Sequence, residues 1–256
     1  PAEPAGPCPV GMALVEGGPV SKKQHQRWKK LYPEAEPPPA EMPPFCLDLL
    51  EATEADLAAC AEVIQARPRM LSCVARGDCG AKPVENLGWR EAARYCAFRG
   101  KRLPTLVEWL WAAGGGAEDR KFPWGDAAPT VKHLNGCDEI CARGAMSDCD
   151  DADKKSGFCT LQKFSNVRGE DGHDLAAPVG SFPEGAGRWG HLDLAGNVYE
   201  HVLTRADSGD FMCGGSYEWT FPGFSFSLHK AICETAGGRP VGVRCASEPA
   251  PTDQPR

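Results

Sequence analysis

The thirteen cysteines of this chain constrain its fold more than any other feature. A zinc ribbon needs two closely spaced cysteine pairs, and only Cys137 and Cys141 come near that spacing. The cysteines therefore favour several disulfide bonds, which persist in oxidising compartments. We expect an exported protein, located in the periplasm, at the cell surface or outside the cell. Because the number of cysteines is odd, at least one thiol is expected to be free or paired outside the chain.

Composition limits both the structure and the partners of this 256-residue chain. Its 29 glycines and 23 prolines interrupt regular elements, so helix is not expected to dominate. A hydrophobic fraction of 42% is sufficient for a folded core. The net charge of −7 argues against a nucleic-acid partner, and no apolar run is long enough for a membrane span. No signal peptide is recognisable, so we interpret the sequence as a mature or trimmed chain.

Local patterns predict short helices and strands separated by loops. Strands are predicted at 12–15 and 45–50, with shorter fragments near 191–203, 211–217 and 241–246. Helices are predicted at 54–65, at 89–99 and from Pro104-Thr105 to Gly114. A basic segment at 22–30 could bind an anionic surface, but a solvated insertion is favoured because the proline run 37–39 follows it.

A set of motifs in a fixed order resembles the formylglycine-generating enzyme (sulfatase-modifying factor) family. The motifs lie at 83–89, 92–96, 100–105, 108–109, 122–126, 177–183, 192–200, 214–217 and 241–246. The resemblance covers residues 8–247, with 1–7 as an N-terminal extension and 248–256 as a disordered tail. It implies a single irregular α+β domain of the formylglycine-generating enzyme or C-type-lectin-like type, disulfide-rich and low in regular structure. It also implies a disulfide between Cys96 and Cys245.

The family's copper site is missing from this sequence. The resemblance implies that two cysteines hold copper, five and ten residues after the first glycine of a Gly-Gly-Ser motif. Those positions are Trp219 and Phe224 here, and residues 218–232 contain no cysteine. Neither side chain ligates Cu(I), which prefers thiolates. No copper and no formylglycine-generating oxidase activity are therefore expected. The next cysteine, Cys233, is either a lone nucleophile or, as we favour, a disulfide partner of Cys213.

The resemblance also implies two structural calcium ions. At the first site, side-chain oxygens would come from Asn135 and Asp171, and backbone oxygens from Gly136 and His173. At the second site, carboxylates would come from Asp193 and Glu200, and backbone oxygens from Gly196 and Val198. Ca²⁺ prefers six to eight hard oxygen ligands, which such turns supply. The alternative is that these acidic residues only cap turns.

The sequence favours an exported, non-catalytic domain that binds a peptide, protein or glycan. Its predicted ligand cleft is formed by Ser216, Glu218, Trp219 and Phe224. The alternative is an enzyme with different, non-copper chemistry on the same scaffold. Its candidate residues are Ser216, His229 and Cys233, although no spacing among them matches a known triad.

Overall fold

Short strands and helices joined by long turns make up the computed structural model of this chain. It describes residues 6–62, 64, 73, 76–77, 79–139, 141, 167, 169–204, 211–218, 227–229, 232–235 and 240–251. The strands are β1 (Met12–Val15), β2 (Gly18–Pro19), β3 (Glu41–Met42), β4 (Phe45–Asp48), β5 (Tyr199–Val202), β6 (Phe211–Cys213), β7 (Cys233–Thr235), β8 (Val241–Gly242) and β9 (Ala246–Ser247). The helices are α1 (Lys22–Leu31), α2 (Glu54–Ala58), α3 (Trp89–Phe98) and α4 (Leu106–Ala113), with 3-10 turns at Gly116–Glu118 and Pro183–Gly185.

The strands form small sheets that bring distant parts of the chain together. The strand order is β1-β4-β9 in one sheet, β2-β3 in another and β7-β6-β5-β8 in the last. The β5–β8 pair is parallel, whereas the other pairs are antiparallel. In the first sheet Leu47 pairs with Ala246, so the two ends of the domain are hydrogen-bonded to each other. The predicted α+β class is confirmed.

Capping chemistry explains where the predicted helices begin. The side chains of Thr53 and Thr105 accept from the third backbone N–H of α2 and α4, and an acidic residue completes each capping box. The predicted helix at 54–65 is too long, because regular α2 ends at Ala58. Its chain continues as a tighter turn, in which the Cys60 N–H donates to the Leu57 carbonyl. Residue 65 lies outside the described residues.

The basic segment near the N-terminus is a docked helix, so its interpretation as a solvated insertion is wrong. A capping box between Ser21 and Gln24 starts α1. Trp28 is only 5% exposed and packs in the main core cluster. The buried Gln24 amide donates to the Gly116 carbonyl at 2.9 Å. One face of α1 therefore belongs to the core, while its lysines remain outside.

Both termini of the predicted domain continue into hydrogen-bonded structure. Glu248 forms an ion pair with Arg102 at 2.7 Å, and the Ala250 N–H donates to the Pro7 carbonyl at 2.7 Å. Ordered contacts thus extend beyond the predicted boundary at 247, because the segment after β9 packs beside the first residues. The remainder of the predicted tail, 252–256, lies outside the described residues. In the described ranges no helix is long and apolar enough to cross a bilayer.

Disulfide bonds connect several of these elements. The pairs are Cys8–Cys46, Cys73–Cys79, Cys96–Cys245, Cys137–Cys141 and Cys213–Cys233. Cys60 is a buried free cysteine, while Cys149 and Cys159 lie outside the described residues. The Cys96–Cys245 bond spans a sequence separation of 149 and ties α3 to the chain just before β9. A loop of that length stabilises the fold by about 4–5 kcal/mol in the chain-entropy treatment.

An ion pair between Arg244 and Glu200 lies at the centre of the fold, with side chains 0% and 1% exposed. The Arg244 Nε and Nη2 atoms donate to the Glu200 carboxylate at 2.8–3.1 Å. The remaining guanidinium donors reach the Asp48 and Leu192 carbonyls at 2.8 and 2.7 Å. Trp109 Nε1 completes the arrangement by donating to Glu200 at 2.7 Å. The pair thus joins α4, β4, β5 and the segment before β9.

Substituting Arg244→Met should lower the free energy of unfolding by about 3–5 kcal/mol, because Glu200 is left as an uncompensated buried charge. Urea unfolding followed by circular dichroism measures the change. The double variant Arg244→Met/Glu200→Gln should recover part of the loss. Arg188→Met, which removes a surface arginine 33% exposed, should cost less than about 1 kcal/mol. Equal losses for the two single variants would contradict the central role of the pair.

Candidate functional site

A glycine turn after β6 places Ser216 next to the centre of the domain. Gly214 and Gly215 have φ angles of 101° and 79°, which L-residues rarely adopt. Ser216 is fully buried, and its Oγ has no hydrogen-bond partner among the described residues. The following Tyr217 N–H donates to the Asn197 carbonyl at 3.0 Å. The Gly-Gly-Ser segment is therefore held against the turn that precedes β5.

A disulfide closes the base of the segment that follows this turn. Cys213 at the end of β6 faces Cys233 at the start of β7 in the strand register, and their sulfurs are bonded. The alternative of Cys233 as a lone nucleophile is therefore wrong, because its sulfur is consumed by the cross-link. No further cysteine lies between these two residues. The part of the family scaffold that would hold copper thus has no free thiol.

A buried phenol, Tyr217, lies beside Ser216 and between two carboxylates. Tyr217 forms side-chain hydrogen bonds with Glu85 and Glu218, and both carboxylates contribute, after burial, to raising the pKa of Tyr217. Burial raises the pKa of the half-buried Glu85, which the Tyr217 hydrogen bond partly opposes. Glu218 is exposed. This arrangement presents hydrogen-bond acceptors to a ligand.

The other residues proposed for the cleft or for catalysis do not form a catalytic set in the described structure. Trp219 and Phe224 lie outside the described residues. His229 places Nε2 2.9 Å from the Asp119 carbonyl. The Ser216 hydroxyl has no hydrogen-bond partner among the described residues, so His229 is not hydrogen-bonded to it in this structure. The described residues thus offer no nucleophile paired with a general base here.

Unpartnered oxygen atoms mark the first predicted calcium site. The Asn135 amide Nδ2 donates to the Leu175 carbonyl at 3.0 Å, which leaves its buried Oδ1 without a described partner. Asp171 accepts the His173 N–H through Oδ1 at 2.8 Å, while its buried Oδ2 has no described partner. Burial, and then Asp138, raise the pKa of Asp171 to about 6. Buried oxygens without donors are the kind of group that a hard cation satisfies.

The two predicted backbone ligands of this site lie in the same region. Gly136 is buried directly after Asn135. The His173 ring contacts Phe182 edge-on, with centroids 6.0 Å apart. Asp171 and His173 belong to the segment that also holds Leu175, so the hydrogen bond from Asn135 brings the four predicted ligands to one part of the fold. Their side-chain oxygens fit the chemistry of a calcium site.

The second predicted calcium site is arranged differently. Both Glu200 oxygens accept from Arg244, and one also accepts from Trp109. The Asp193 Oδ2 accepts the Gly180 N–H at 2.6 Å. Within the residues that the structure describes, no group of three or more His, Cys, Asp or Glu side chains has metal-binding geometry. The donor set at this site is therefore largely engaged by the protein itself.

Sequence reasoning missed Glu51, which joins this second cluster. Glu51 is 3% exposed, and it accepts from Asn197 Nδ2 at 2.6 Å and from the Val198 N–H at 3.2 Å. Burial, and then the charges of Asp193 and Glu200, raise the pKa of Glu51 well above its usual value. Burial likewise raises the pKa of Asp193. Three carboxylates thus lie near one arginine, Arg244, and their mutual repulsion favours protonation of Glu51.

The two predicted metal sites and the glycine turn meet at Gly196. Its N–H donates to the Gly214 carbonyl at 2.9 Å. A β-carbon at Gly196 would lie 2.1 Å from the Asn135 carbonyl oxygen, so only glycine fits there. The Asn197 N–H donates to the same Asn135 oxygen at 2.7 Å. Residues from both predicted calcium sites are therefore adjacent to the Gly-Gly-Ser turn.

The sequence of this chain is similar to those of known proteins. The chain is 31% identical to the inactive C-alpha-formylglycine-generating enzyme 2 of Bos taurus over 176 residues, 64% of this chain and 50% of the relative. It is 30% identical to the formylglycine-generating enzyme of Mus musculus over 196 residues, 66% of this chain and 45% of the relative. The chain thus spans about half the length of these relatives.

A solved structure and a family profile extend the comparison to nearly the whole chain. Treponema denticola variable protein 1 matches with a TM-score of 0.57 at 16% identity, over 93% of this chain and 95% of that one, which is a likeness of fold alone. The profile described as sulfatase-modifying factor enzyme 1-like domain matches residues 3–249. Given that match and the Gly-Gly-Ser turn against the 193–200 segment, the chain belongs to the sulfatase-modifying factor, or formylglycine-generating enzyme, family.

Proposed function

We propose that this chain is an exported, non-catalytic member of its family that binds a peptide, protein or glycan beside the Gly-Gly-Ser turn. The Cys213–Cys233 disulfide carries the proposal. Because no cysteine lies between its two sulfurs, the segment has no thiolate pair for Cu(I). The similarity to a relative named as inactive supports the same conclusion.

Export is supported by the number of cross-links rather than by any targeting signal. Disulfides from Cys8–Cys46 to Cys213–Cys233 are distributed over most of the domain. Structural disulfides of this density are typical of proteins in oxidising compartments. We also propose that the domain has a C-type-lectin-like fold.

The ligand surface that we propose includes Glu218 and its neighbours Tyr217 and Glu85. The carboxylates are acceptors for charged or neutral donors, and the phenol holds them together. A peptide with a lysine or arginine would make charge-assisted hydrogen bonds with them, which are stronger than neutral ones. We therefore favour a basic peptide segment over a glycan as the ligand.

Purified protein with copper, oxygen and a Cys-x-Pro-x-Arg peptide should leave the peptide thiol unchanged, because no thiolate pair is present. Mass spectrometry for the aldehyde measures the outcome. The variant Trp219→Cys/Phe224→Cys should gain about one Cu(I) per chain, since two thiolates suffice for linear coordination. The single variant Trp219→Cys is the control and should bind Cu(I) more weakly. Aldehyde formation by the unmodified chain above a protein-free control would refute the non-catalytic assignment.

Binding to an array of short peptides and glycans tests the ligand surface. We expect peptides containing Lys or Arg to bind best. The variant Glu218→Gln should weaken the binding of these peptides about three- to tenfold, because it removes a charged acceptor. Fluorescence anisotropy on the best peptide measures the change. Glu184→Gln, at a glutamate that is 58% exposed, is the matched control and should leave binding unchanged. If glycans bind best or both variants behave alike, the basic-peptide assignment is wrong.

We also propose that the fold holds structural calcium. The first site carries this proposal, because the Asn135 Oδ1 and Asp171 Oδ2 atoms lack donors. Gly136 and His173 would add backbone oxygens, and bound calcium would neutralise the buried Asp171 charge. A second ion at Asp193, Gly196, Val198 and Glu200 receives support only from the crowding of carboxylates around Glu51, whose repulsion a cation would relieve.

Chelation of calcium should lower the melting temperature by roughly 5 °C, because a ligand at a hundredfold excess over Kd stabilises by about 2.7 kcal/mol. Differential scanning fluorimetry with and without chelator measures the shift. Asp171→Asn should reduce it, and Asp193→Asn should do so independently if the second ion binds. The exposed neighbour substitution Asp174→Asn is the control. Mg²⁺ should substitute poorly. An unchanged melting temperature, with no calcium by elemental analysis, would show that the sites bind none.

A further inference from the structure

Helix α1 presents a strip of lysines to solvent on the side opposite its buried face. The strip, called here the α1 basic face, consists of four exposed residues: Lys22, Lys23, Lys29 and Lys30. Gln24 and Trp28, which are buried, lie on the opposite side at helical spacing. The helix docks through that buried side, so the lysines are held in fixed positions relative to the rest of the domain.

The four lysines make no direct polar contact with the rest of the described structure. None of them forms an ion pair or a hydrogen bond with a described residue, whereas Arg27 of the same helix pairs with Asp119. The first turn of α1 contains no acidic residue, so Lys22 and Lys23 lie at the positive end of the helix dipole. Lys23 is also four residues before Arg27, which is an unfavourable like-charge spacing. Local electrostatics thus disfavours lysine at the start of α1, whereas Lys29 and Lys30, in the last turn, lie at the favourable negative end of the dipole.

We infer that the α1 basic face binds a linear acidic polysaccharide, carrying sulfate or carboxylate groups. Charge complementarity is the first argument, since the four uncompensated cations stand out in a chain of net charge −7. The lysines extend over about 12 Å along the helix axis, at the usual rise per residue. That length accommodates a few charged groups of an extended polymer lying along the helix.

The surroundings of α1 favour a narrow polymer over a membrane. A membrane-surface helix inserts its apolar face, but Trp28 and Leu31 pack against the core of this domain. The flanking segments carry exposed glutamates: Glu16, Glu34, Glu36 and Glu41. A broad anionic surface would bring these acidic residues close to its own charge, whereas a single polysaccharide chain contacts the lysine strip alone. Duplex DNA is also broad, and α1 exposes no aromatic ring for stacking on single strands.

Heparin is the probe that tests the inference, with the full chain and isothermal titration calorimetry at several salt concentrations. The affinity of the unmodified chain should fall with salt with a log–log slope of about −3, as expected for four released counterions. The variant Lys22→Gln/Lys23→Gln/Lys29→Gln/Lys30→Gln should bind about a hundredfold more weakly at about 50 mM salt. Glutamine has a helix propensity close to that of lysine, so α1 should remain folded.

The control variant removes the same charge elsewhere on the surface. It replaces four exposed residues by glutamine: Lys82, Arg90, Lys121 and Lys132. This variant should retain heparin affinity within about threefold, because only general electrostatics changes. Circular dichroism and the melting temperature establish that both variants are folded.

Several results would overturn the inference. One is the absence of heparin binding at low salt, and another is an equal loss of heparin affinity in the two fourfold variants. A third is tighter binding to anionic phospholipid vesicles or to duplex DNA than to heparin. Partial loss in Lys22→Gln/Lys23→Gln, with the slope reduced by about half, would support it. The outcome is independent of the proposed cleft function, because α1 contains neither Glu218 nor the Cys213–Cys233 disulfide.

Discussion

The ion pair between Arg244 and Glu200 is the interaction on which the rest of this domain depends. In the part of the chain that the structure describes, no strand is longer than four residues, so no large sheet organises the core. Instead, a fully buried guanidinium connects β5 to backbone carbonyls at Asp48 and Leu192. Trp109 brings α4 to the same carboxylate. A buried pair of this kind contributes modest net stability when intact, but it penalises every arrangement that leaves one charge alone. It therefore selects one packing of several short elements.

The turn on which the proposed ligand surface depends lies directly beside this centre. The turn before β5 donates from Gly196 to the Gly214 carbonyl and accepts at Asn197 from Tyr217. The Asn197 side chain donates to Glu51, and its backbone N–H donates to the Asn135 carbonyl. The Gly-Gly-Ser turn and residues of both predicted calcium sites thus share one hydrogen-bond network. Because buried networks of this kind are costly to leave partly satisfied, changes at one site are transmitted to its neighbours.

The family fold and the proposed absence of copper chemistry are compatible in physical terms. A fold does not by itself dictate a chemistry, because function depends on the residues placed at particular sites. In this chain, Cys213 and Cys233 close the base of the segment 214–232 as a structural cross-link. The cross-link limits the freedom of that segment in the unfolded chain, which stabilises the fold without any metal.

The sequence by itself determined the local features of this protein. The threonine caps at Thr53 and Thr105 start their helices because a side-chain oxygen satisfies a backbone N–H only three residues away. The ordered motifs identified the family, and the absence of cysteine from 218–232 is the basis of the prediction that no copper binds there. Each of these conclusions depends on residues close together in the chain or on their order.

Contacts between residues that are far apart in the sequence are seen only in the tertiary structure. The Ser21–Gln24 capping box is a local signal for the start of α1, but the packing of Trp28 in the core depends on distant residues, and so the basic segment was not predicted as a docked helix. The partners of Glu51 and Glu85 lie far along the chain, at Asn197 and Tyr217. The periodicity of apolar residues indicates which side of a helix or strand is apolar. The burial and pairing of side chains depend on contacts between elements that are far apart in sequence.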